Sequence, residues 1–324
     1  MIDGNAILHR AYHALPPLTN RSGELTNAVY GFASMLFKIF SDLHPEYIAV
    51  AFDTAGPNFR HQEYIGYKAN RPRMDSELAG QIGKVHDLVT AFNIPIFEVE
   101  GYEADDIIAT IAKQMEEQET GKKTQEDEEE IETIIVTGDK DLMQLVDERV
   151  KLYMPTRGLS EGQIVGEDEV VAKMGIPPDK IVDYKGLVGD PSDNYPGVPG
   201  IGPKTAAELL KRFGSVEGVY MKINEGGKGL GGFGENTIKK LAEGAESAVL
   251  SKKLATILTD VPIRLKLENC VAKDFDKEKV LALFRELGFR SLAGRLTGEK
   301  GQKDPTSSRK AGLRGASERQ GSLF

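Results

Sequence analysis

Gly189-Asp-Pro-Ser-Asp-Asn-Tyr-Pro-Gly-Val-Pro-Gly-Ile-Gly-Pro-Lys-Thr205 divides this 324-residue chain into two kinds of sequence. Before it, apolar β-rich runs alternate with helical spacings; from 200 to about 260 the spacing is helical throughout. Within the stretch, two carboxylates, Asp190 and Asp193, stand directly ahead of a glycine-rich turn that opens a helix. Carboxylates suit hard divalent cations, and the exposed amides of such a turn suit a phosphate.

Upstream, Tyr47-Ile-Ala-Val-Ala-Phe52 reads as a strand ending at Asp53, Ile94 to Val99 as a second, and Thr133-Ile-Ile-Val-Thr137 as a third ending at Gly138-Asp139. Residues 78 to 92 and 103 to 118 have helical spacing. The expected fold class is α/β, a mostly parallel central sheet with helices on both faces and its ligand site at the strand C-termini. An α-helical domain follows it. Met1-Ile-Asp3 leaves almost no first strand, so either that strand is unusually short or the true N-terminus lies upstream. Downstream, Thr205 to Phe213, Glu235 to Leu241, Ala245 to Leu258 and 277 to 289 read as helices. Glu225 to Gly234 reads as a flexible glycine loop. The expected units are 1–187 (α/β core with an acidic insertion at 116–132 and, as resemblance to a known family implies, a helical arch at 59–90), 188–295 (helical) and 296–324 (disordered tail).

The formal charge of -9 argues superficially against a polyanionic partner. Residues 116–132, however, hold nine acids and two lysines and account for -7 of it. They read as a solvated, partly disordered helix extension. The remainder is near neutral, with basic clusters free to form a footprint. Cys270 is the single cysteine, which excludes an internal disulfide and a cysteine-based zinc site. His9 and His13 are four apart, but no compact histidine set typical of a zinc enzyme is present. No apolar run approaches a membrane span and no signal peptide is visible, so a cytoplasmic protein, monomeric and without a membrane partner, is expected.

Acids gather where the strands end. Asp3, Asp53 and Asp139 with Asp141 follow strand runs, and Glu103-Ala-Asp105-Asp106 opens a helix just past Val99. Helix capping readily explains one or two acids in that last group, and all three less comfortably. A set of carboxylates without histidine or cysteine suits two Mg²⁺ (or Mn²⁺) ions, which can activate water and neutralise charge on a phosphate. Without metal the set repels itself.

Two segments point to nucleic acid. Val198-Pro-Gly200-Ile-Gly202-Pro-Lys204-Thr205 has the signature of a helix-hairpin-helix module, in which glycines admit a phosphate and free helix amides bind it. Phe59 to Arg73 interleaves bases with aromatics, among them Arg60, Tyr64, Tyr67, Lys68 and Arg71, a mixture that fits single-strand contacts. Following Asp53, it is expected to hang as a flexible segment over the metal site. Lys68 and Arg60 are expected to touch the reacting phosphate. Lys252 and Lys253 are expected as secondary phosphate contacts, with surface solvation as the plainer alternative.

These strings, together with Asp3-Gly-Asn, Ala51-Phe-Asp53, Tyr67-Lys-Ala-Asn-Arg71 and Leu250-Ser-Lys-Lys-Leu-Ala-Thr256, occur in an order that closely resembles the 5′ nuclease domain of bacterial DNA polymerase I, within the flap endonuclease family. The resemblance runs from residue 1 to about 295 and implies a PIN-like 5′ nuclease core. It also implies one metal held by Asp3, Asp53, Glu103, Asp105 and Asp106, and a second region served by Asp139, Asp141, Asp190 and Asp193. Lys68, Arg60, Asp105 and Asp106 match the catalytic residues. The hairpin at Gly200, Gly202, Lys204 and Thr205 matches one that holds duplex beside K⁺, with Tyr64, Tyr67, Arg71 and Lys252 as further DNA contacts. The implied activity is 5′-3′ exonuclease and 5′-flap endonuclease cleavage of DNA and RNA primers at 5′ flaps, 5′ ends and RNA-DNA primer junctions, in replication and repair at the nucleoid. A catalytically weak flap-binding protein on the same fold is the alternative. The basic tail reads as a terminus, so a stand-alone nuclease is expected over a piece of a longer polymerase.

Overall fold

The computed structural model describes residues 1–120, 131–156, 158–159, 161–225 and 230–298. The sheet comprises β1 (Ile2–Asp3), β2 (Val50–Ala51), β3 (Ile96–Phe97), β4 (Thr133–Val136), β5 (Val150–Pro155) and β6 (Gly162–Val165), in spatial order β3-β2-β1-β4-β5-β6. All neighbours are parallel except β5 and β6. Around it lie α1 (Gly4–Ala14), α2 (Asn27–Asp42), α3 (Phe59–Glu63), α4 (Ser76–Ala91), α5 (Ala104–Thr120) and α6 (Glu167–Met174). Then come α7 (Ile181–Val188), α8 (Pro203–Phe213), α9 (Val216–Asn224), α10 (Glu235–Glu243), α11 (Ala245–Ala255), α12 (Lys277–Leu287) and α13 (Arg290–Thr297).

Alternation along β2 sorts the two faces of the sheet. Val50 and Phe52 join the core under α1, α2, α4 and α12, whereas Ala49 and Ala51 join the core under α5. The first strand is two residues long and lies between two parallel, buried neighbours. Ile2 N donates to Ala49 O at 2.9 Å and Val136 N to Met1 O at 2.8 Å. Gly4 is required where β1 turns into α1, since a Cβ there would lie 2.3 Å from the Phe52 ring.

Several expectations need correction. The 59–73 segment is not a flexible strand hanging over the site, and the 59–90 stretch that contains it is docked on the core. Its second half, α4, buries Leu78, Val85, Leu88 and Val89 in the main core, and its first half is docked by hydrogen bonds described below. β5 and β6 went unread, although Val150-Lys-Leu-Tyr-Met154 carries a strand composition. Packing also follows a different line from a boundary at 188. The core of α7 to α11 is its own cluster, but Ile257, Val261, Leu265 and Cys270 pack beneath the sheet, and α12 and α13 return to the α1–α2 face. In the glycine loop, Leu230 is buried and Arg212 lies 5.5 Å over the Phe233 ring. Residues 226–229, most of the acidic insertion and residues 299–324 lie outside the described residues. No described helix is long and apolar enough to cross a membrane.

Candidate active site

The C-terminal ends of β1, β2 and β4 and the N-termini of α1 and α5 meet at a cleft of about 270 Å³. Two strand-end acids cap helices. Asp3 Oδ1 accepts from Ala6 N at 2.9 Å, capping α1, and Asp53 Oδ1 accepts from Ala104 N at 2.7 Å at the start of α5. Capping uses one oxygen of each. Asp3 Oδ2 accepts from Thr137 Oγ1 at 2.7 Å, and Thr137 Oγ1 in turn accepts from Asp139 N. Asp139 Oδ1 accepts from Asp141 N at 2.8 Å. Among the described residues, Asp53 Oδ2, Asp139 Oδ2 and both Asp105 oxygens accept no hydrogen bond.

Electrostatics separate these acids into two groups. Burial, with Asp53 and Asp139 nearby, pushes Asp3 up to about 7 against its bonds from Ala6 and Thr137. Burial, then the charges of Asp3, Asp139, Glu103 and Asp53, raises Asp105 well above the carboxylate range, and burial raises Asp53 as well. Asp141 is pushed up to about 6 by burial, in spite of its ion pair with Lys185.

The second group is neutralised by cations. Arg60, 2% exposed, makes a bidentate pair with Asp106, 2.8 Å on each arm, and reaches Glu103 Oε2 at 3.1 Å and the carbonyls of Leu254 and Thr256. Lys68 Nζ lies 2.5 Å from Glu103 Oε1. Burial opposes ionisation of Glu103, but Lys68 and Arg60 hold its carboxyl below the usual range. Arg71 pairs with Asp193 at 2.6 Å, and Lys185 with Asp141 and with Asp190 at 2.7 Å.

Some residues are therefore not where the sequence put them. Asp106 is wholly buried, with Leu258 N and Glu103 N completing its bonds, so Arg60 and Asp106 form a buried strut at the edge of the cleft. Tyr67 is 3% exposed, and its hydroxyl donates to Glu103 Oε2 and Asp193 Oδ2 at 3.1 Å, leaving its ring no free face for a base. Lys252 Nζ is held by Asp183 at 2.6 Å and by Glu217. Lys253 pairs with Glu63 at 2.7 Å. Asp190 is drawn toward Lys185 and Ser192 and does not line the cleft. The sequence reading missed Asn5, whose Oδ1 accepts from Asp53 N, Lys185, and His9 as a cleft residue. The spacing of Lys185, five before Asp190, was the available signal.

The hairpin joins α7 to α8. Gly189, Asn194, Gly197 and Gly200 all have positive φ, and Gly197 is clasped by Ser251 Oγ on its N and Ser247 Oγ on its O. The amides of Gly200, Gly202, Lys204 and Thr205 make no backbone hydrogen bond among the described residues, and Gly200, Gly202 and Lys204 are exposed. Lys240 Nζ lies 3.4 Å from Gly200 O.

The donor set can be tested against a divalent ion. No three carboxylates among the described residues converge closely enough to enclose an ion as they stand, because Lys68, Arg60, Arg71 and Lys185 draw half of them aside. The remaining free oxygens are all hard donors under mutual repulsion. The Tyr195 hydroxyl, buried beside Asp141, Asp190 and Asp193, has no partner. Both features fit a hydrated Mg²⁺ or Mn²⁺.

Residues 1–175 match the family model "5′-3′ exonuclease, N-terminal resolvase-like domain", and residues 176–278 match "5′-3′ exonuclease, C-terminal SAM fold". The chain is 42% identical over 292 residues to DNA polymerase I of Bacillus caldotenax, covering 90% of this chain and 31% of that protein. It is 40% identical to DNA polymerase I of Bacillus subtilis, covering 91% and 32%. It thus spans about a third of the length of the curated relatives it matches. Among solved structures, a bacteriophage T5 flap endonuclease complex with DNA and metal ions superposes with a TM-score of 0.62 at 18% identity, covering 92% of this chain and 96% of the other. The catalytic core of Rad2 in complex with DNA substrate gives 0.57 at 16%, covering 91% and 89%. The latter two likenesses establish the sheet-and-helix architecture, and the two adjoining family models place nearly the whole described chain in one lineage: it belongs to the 5′-3′ exonuclease family.

Proposed function

We propose that this chain is a divalent-metal-dependent 5′-3′ exonuclease and 5′-flap endonuclease acting on DNA and on RNA primers. The observation that carries the reading is the uncompensated part of the acid cleft: Asp3, Asp53, Asp105 and Asp139 crowd at the sheet's C-terminal edge with fewer cations than charges. Family membership and the arrangement of a largely parallel sheet flanked by helices, which we read as PIN-like, support it. Asp3, Asp53, Asp105 and Asp139 would hold one ion, and Asp141, Asp190 and Asp193 would serve a second, some through water. When bound, such ions polarise the scissile phosphate and lower the pKa of a water.

The chain's own groups do the rest. The free amides at Gly200, Gly202, Lys204 and Thr205 grip duplex phosphates without reading sequence, and K⁺ beside the hairpin belongs to the same proposal. Because Asp190 and Asp193 sit in the loop that leads into that hairpin, duplex is held at a fixed distance from the cleft. Lys68 and Arg71 line the cleft and meet the negative charge that grows on the phosphate. Arg60 acts at one remove, by holding Glu103 and the start of α5 in place. Attack on phosphorus expels the 3′-oxygen and leaves a 5′-phosphate on the downstream strand.

A 5′-labelled flap duplex incubated with Mg²⁺ and with EDTA tests the reading. Cleavage in Mg²⁺ alone is expected, falling by at least about 10²-fold in Asp105→Asn, the scale of losing one group that stabilises transition-state charge. Flap binding without metal-dependent cutting would instead favour a binding protein on the same fold.

A further inference from the structure

Three buried side-chain polar atoms among the described residues have no hydrogen-bond partner: His86 Nε2 and the hydroxyls of Tyr195 and Tyr220. Leaving such a group unpaired is destabilising. His86 Nε2 lies 3.5 Å from Glu98 Oε1, and Tyr220 packs with the apolar cluster of α7 to α11. Tyr195 stands elsewhere. It is 3% exposed and packs with Tyr67, Leu254 and Ala255. Its backbone is pinned to Asp190 by two hydrogen bonds, Asp190 N to Tyr195 O at 2.9 Å and Tyr195 N to Asp190 O at 3.1 Å. Its hydroxyl is thereby held in the field of Lys185, Asp141, Asp190 and Asp193, the acids of the hairpin side of the cleft.

Those acids are mostly committed. Asp190 accepts from Ser192 on Oδ1 and from Lys185 on Oδ2, and Asp193 from Arg71 on Oδ1 and from Tyr67 on Oδ2. Asp141 accepts from Lys185 on Oδ1, while its Oδ2 accepts no hydrogen bond among the described residues. Two oxygens in the cluster therefore lack a donor, Asp141 Oδ2 and the Tyr195 hydroxyl. Three carboxylates face two directly paired cations, Lys185 and Arg71, so one negative charge is left over. Because those cations already hold one oxygen of each acid, close ligation of a bare ion is opposed. A hydrated divalent ion is not: Mg²⁺ gives up its waters reluctantly, and those waters point their hydrogens outward, toward oxygen acceptors.

We propose that Tyr195 is a positioning residue for the second ion, its hydroxyl accepting a hydrogen bond from one of that ion's waters. The inference rests on the metal-dependent nuclease reading above. A hydroxyl kept for a ligand weakens the chain when the ligand is away, so the test has two readouts of opposite sign. Mn²⁺ uptake by the 324-residue chain without DNA is followed by electron paramagnetic resonance, and the melting temperature is taken in EDTA. Tyr195→Phe is expected to weaken one of two Mn²⁺ sites about tenfold, the scale of losing a group that orients a metal's surroundings, and to leave the other within about twofold. In EDTA the same variant is expected to melt no lower than the parent, since an unpaired polar group has been removed. Tyr220→Phe removes the other orphaned hydroxyl and is expected to leave Mn²⁺ uptake unchanged. The inference is overturned by unchanged uptake in Tyr195→Phe, by equal weakening of both sites, by a matching loss in Tyr220→Phe, or by a lower melting temperature of Tyr195→Phe in EDTA. A parent that binds one Mn²⁺ overturns it too. A parent that binds none overturns the metal-dependent reading itself, and this inference with it.

Discussion

Arg60 carries more of the site's internal order than any other side chain in it. Five hydrogen bonds tie it to Asp106, Glu103 and the backbone at Leu254 and Thr256, joining α3, α5 and the end of α11 across sequence gaps of 43 to 196 residues. Breaking a buried ion pair on one side leaves an uncompensated charge, which typically costs about 3–5 kcal/mol. Arg60→Ala is therefore expected to lower unfolding free energy by about that much in urea titrations, far beyond the effect of Arg71→Ala, whose side chain is half in solvent. Equal losses for the two would refute the strut. The sequence showed that both Arg60 and Asp106 belonged to the site; it could not show that they belong to each other. Pairing is a matter of which atoms face inward, and Tyr67 and Lys252 were misread for the same reason.

At the scale of elements, the hairpin and the strand-helix corners were the most legible features, because both depend on local backbone chemistry. Asp3 caps α1, and in the hairpin Gly197 and Gly200 sit at positive φ, where a side chain is strained. Gly197 has the additional constraint of close approach: a Cβ there would lie 2.2 Å from Gly189 N. Gly197→Ala should thus shift the loop and cost about 1–3 kcal/mol, the usual range for forcing atoms into a packed site. Duplex affinity should fall together with stability, whereas Gly202→Ala, with open space at its Cβ and ordinary φ, should spare stability. Calorimetry and duplex titration of the two variants distinguish them. The 59–90 segment was the least legible element. Its aromatics and bases suggested a mobile arm, but α4 has an apolar stripe that the main core absorbs, and the preceding turn is pinned by Asn194 and Asp193.

Across the whole molecule, the balance between acids and cations sets the response to pH and metal. The carboxyl of Asp3 has a folded value of about 7 against an ordinary value of 3.8, so the folded chain retains a proton that the unfolded chain releases. Its contribution is fully present below the unfolded value and is lost as pH rises through about 7, and the upward shift of Asp105 has the same sign. A divalent ion replaces the lost protons. The rise in melting temperature on adding Mg²⁺ should therefore be small at pH 5 and larger at pH 8; a shift independent of pH, or one that shrinks as pH rises, would contradict the uncompensated cleft. The sequence by itself determined the parallel α/β core, the gathering of acids at strand ends and the glycine hairpin, because these follow from hydrophobic period, chain polarity and backbone freedom, all local in the chain. Tertiary structure alone decided which acids keep free oxygens and which are neutralised, since each neutralising cation arrives from a distant element: Lys68 and Arg60 on Glu103, Arg71 on Asp193, Lys185 on Asp141. It also decided that α12 and α13 close over the first sheet face, because an amphipathic helix states that it needs a partner and not which one.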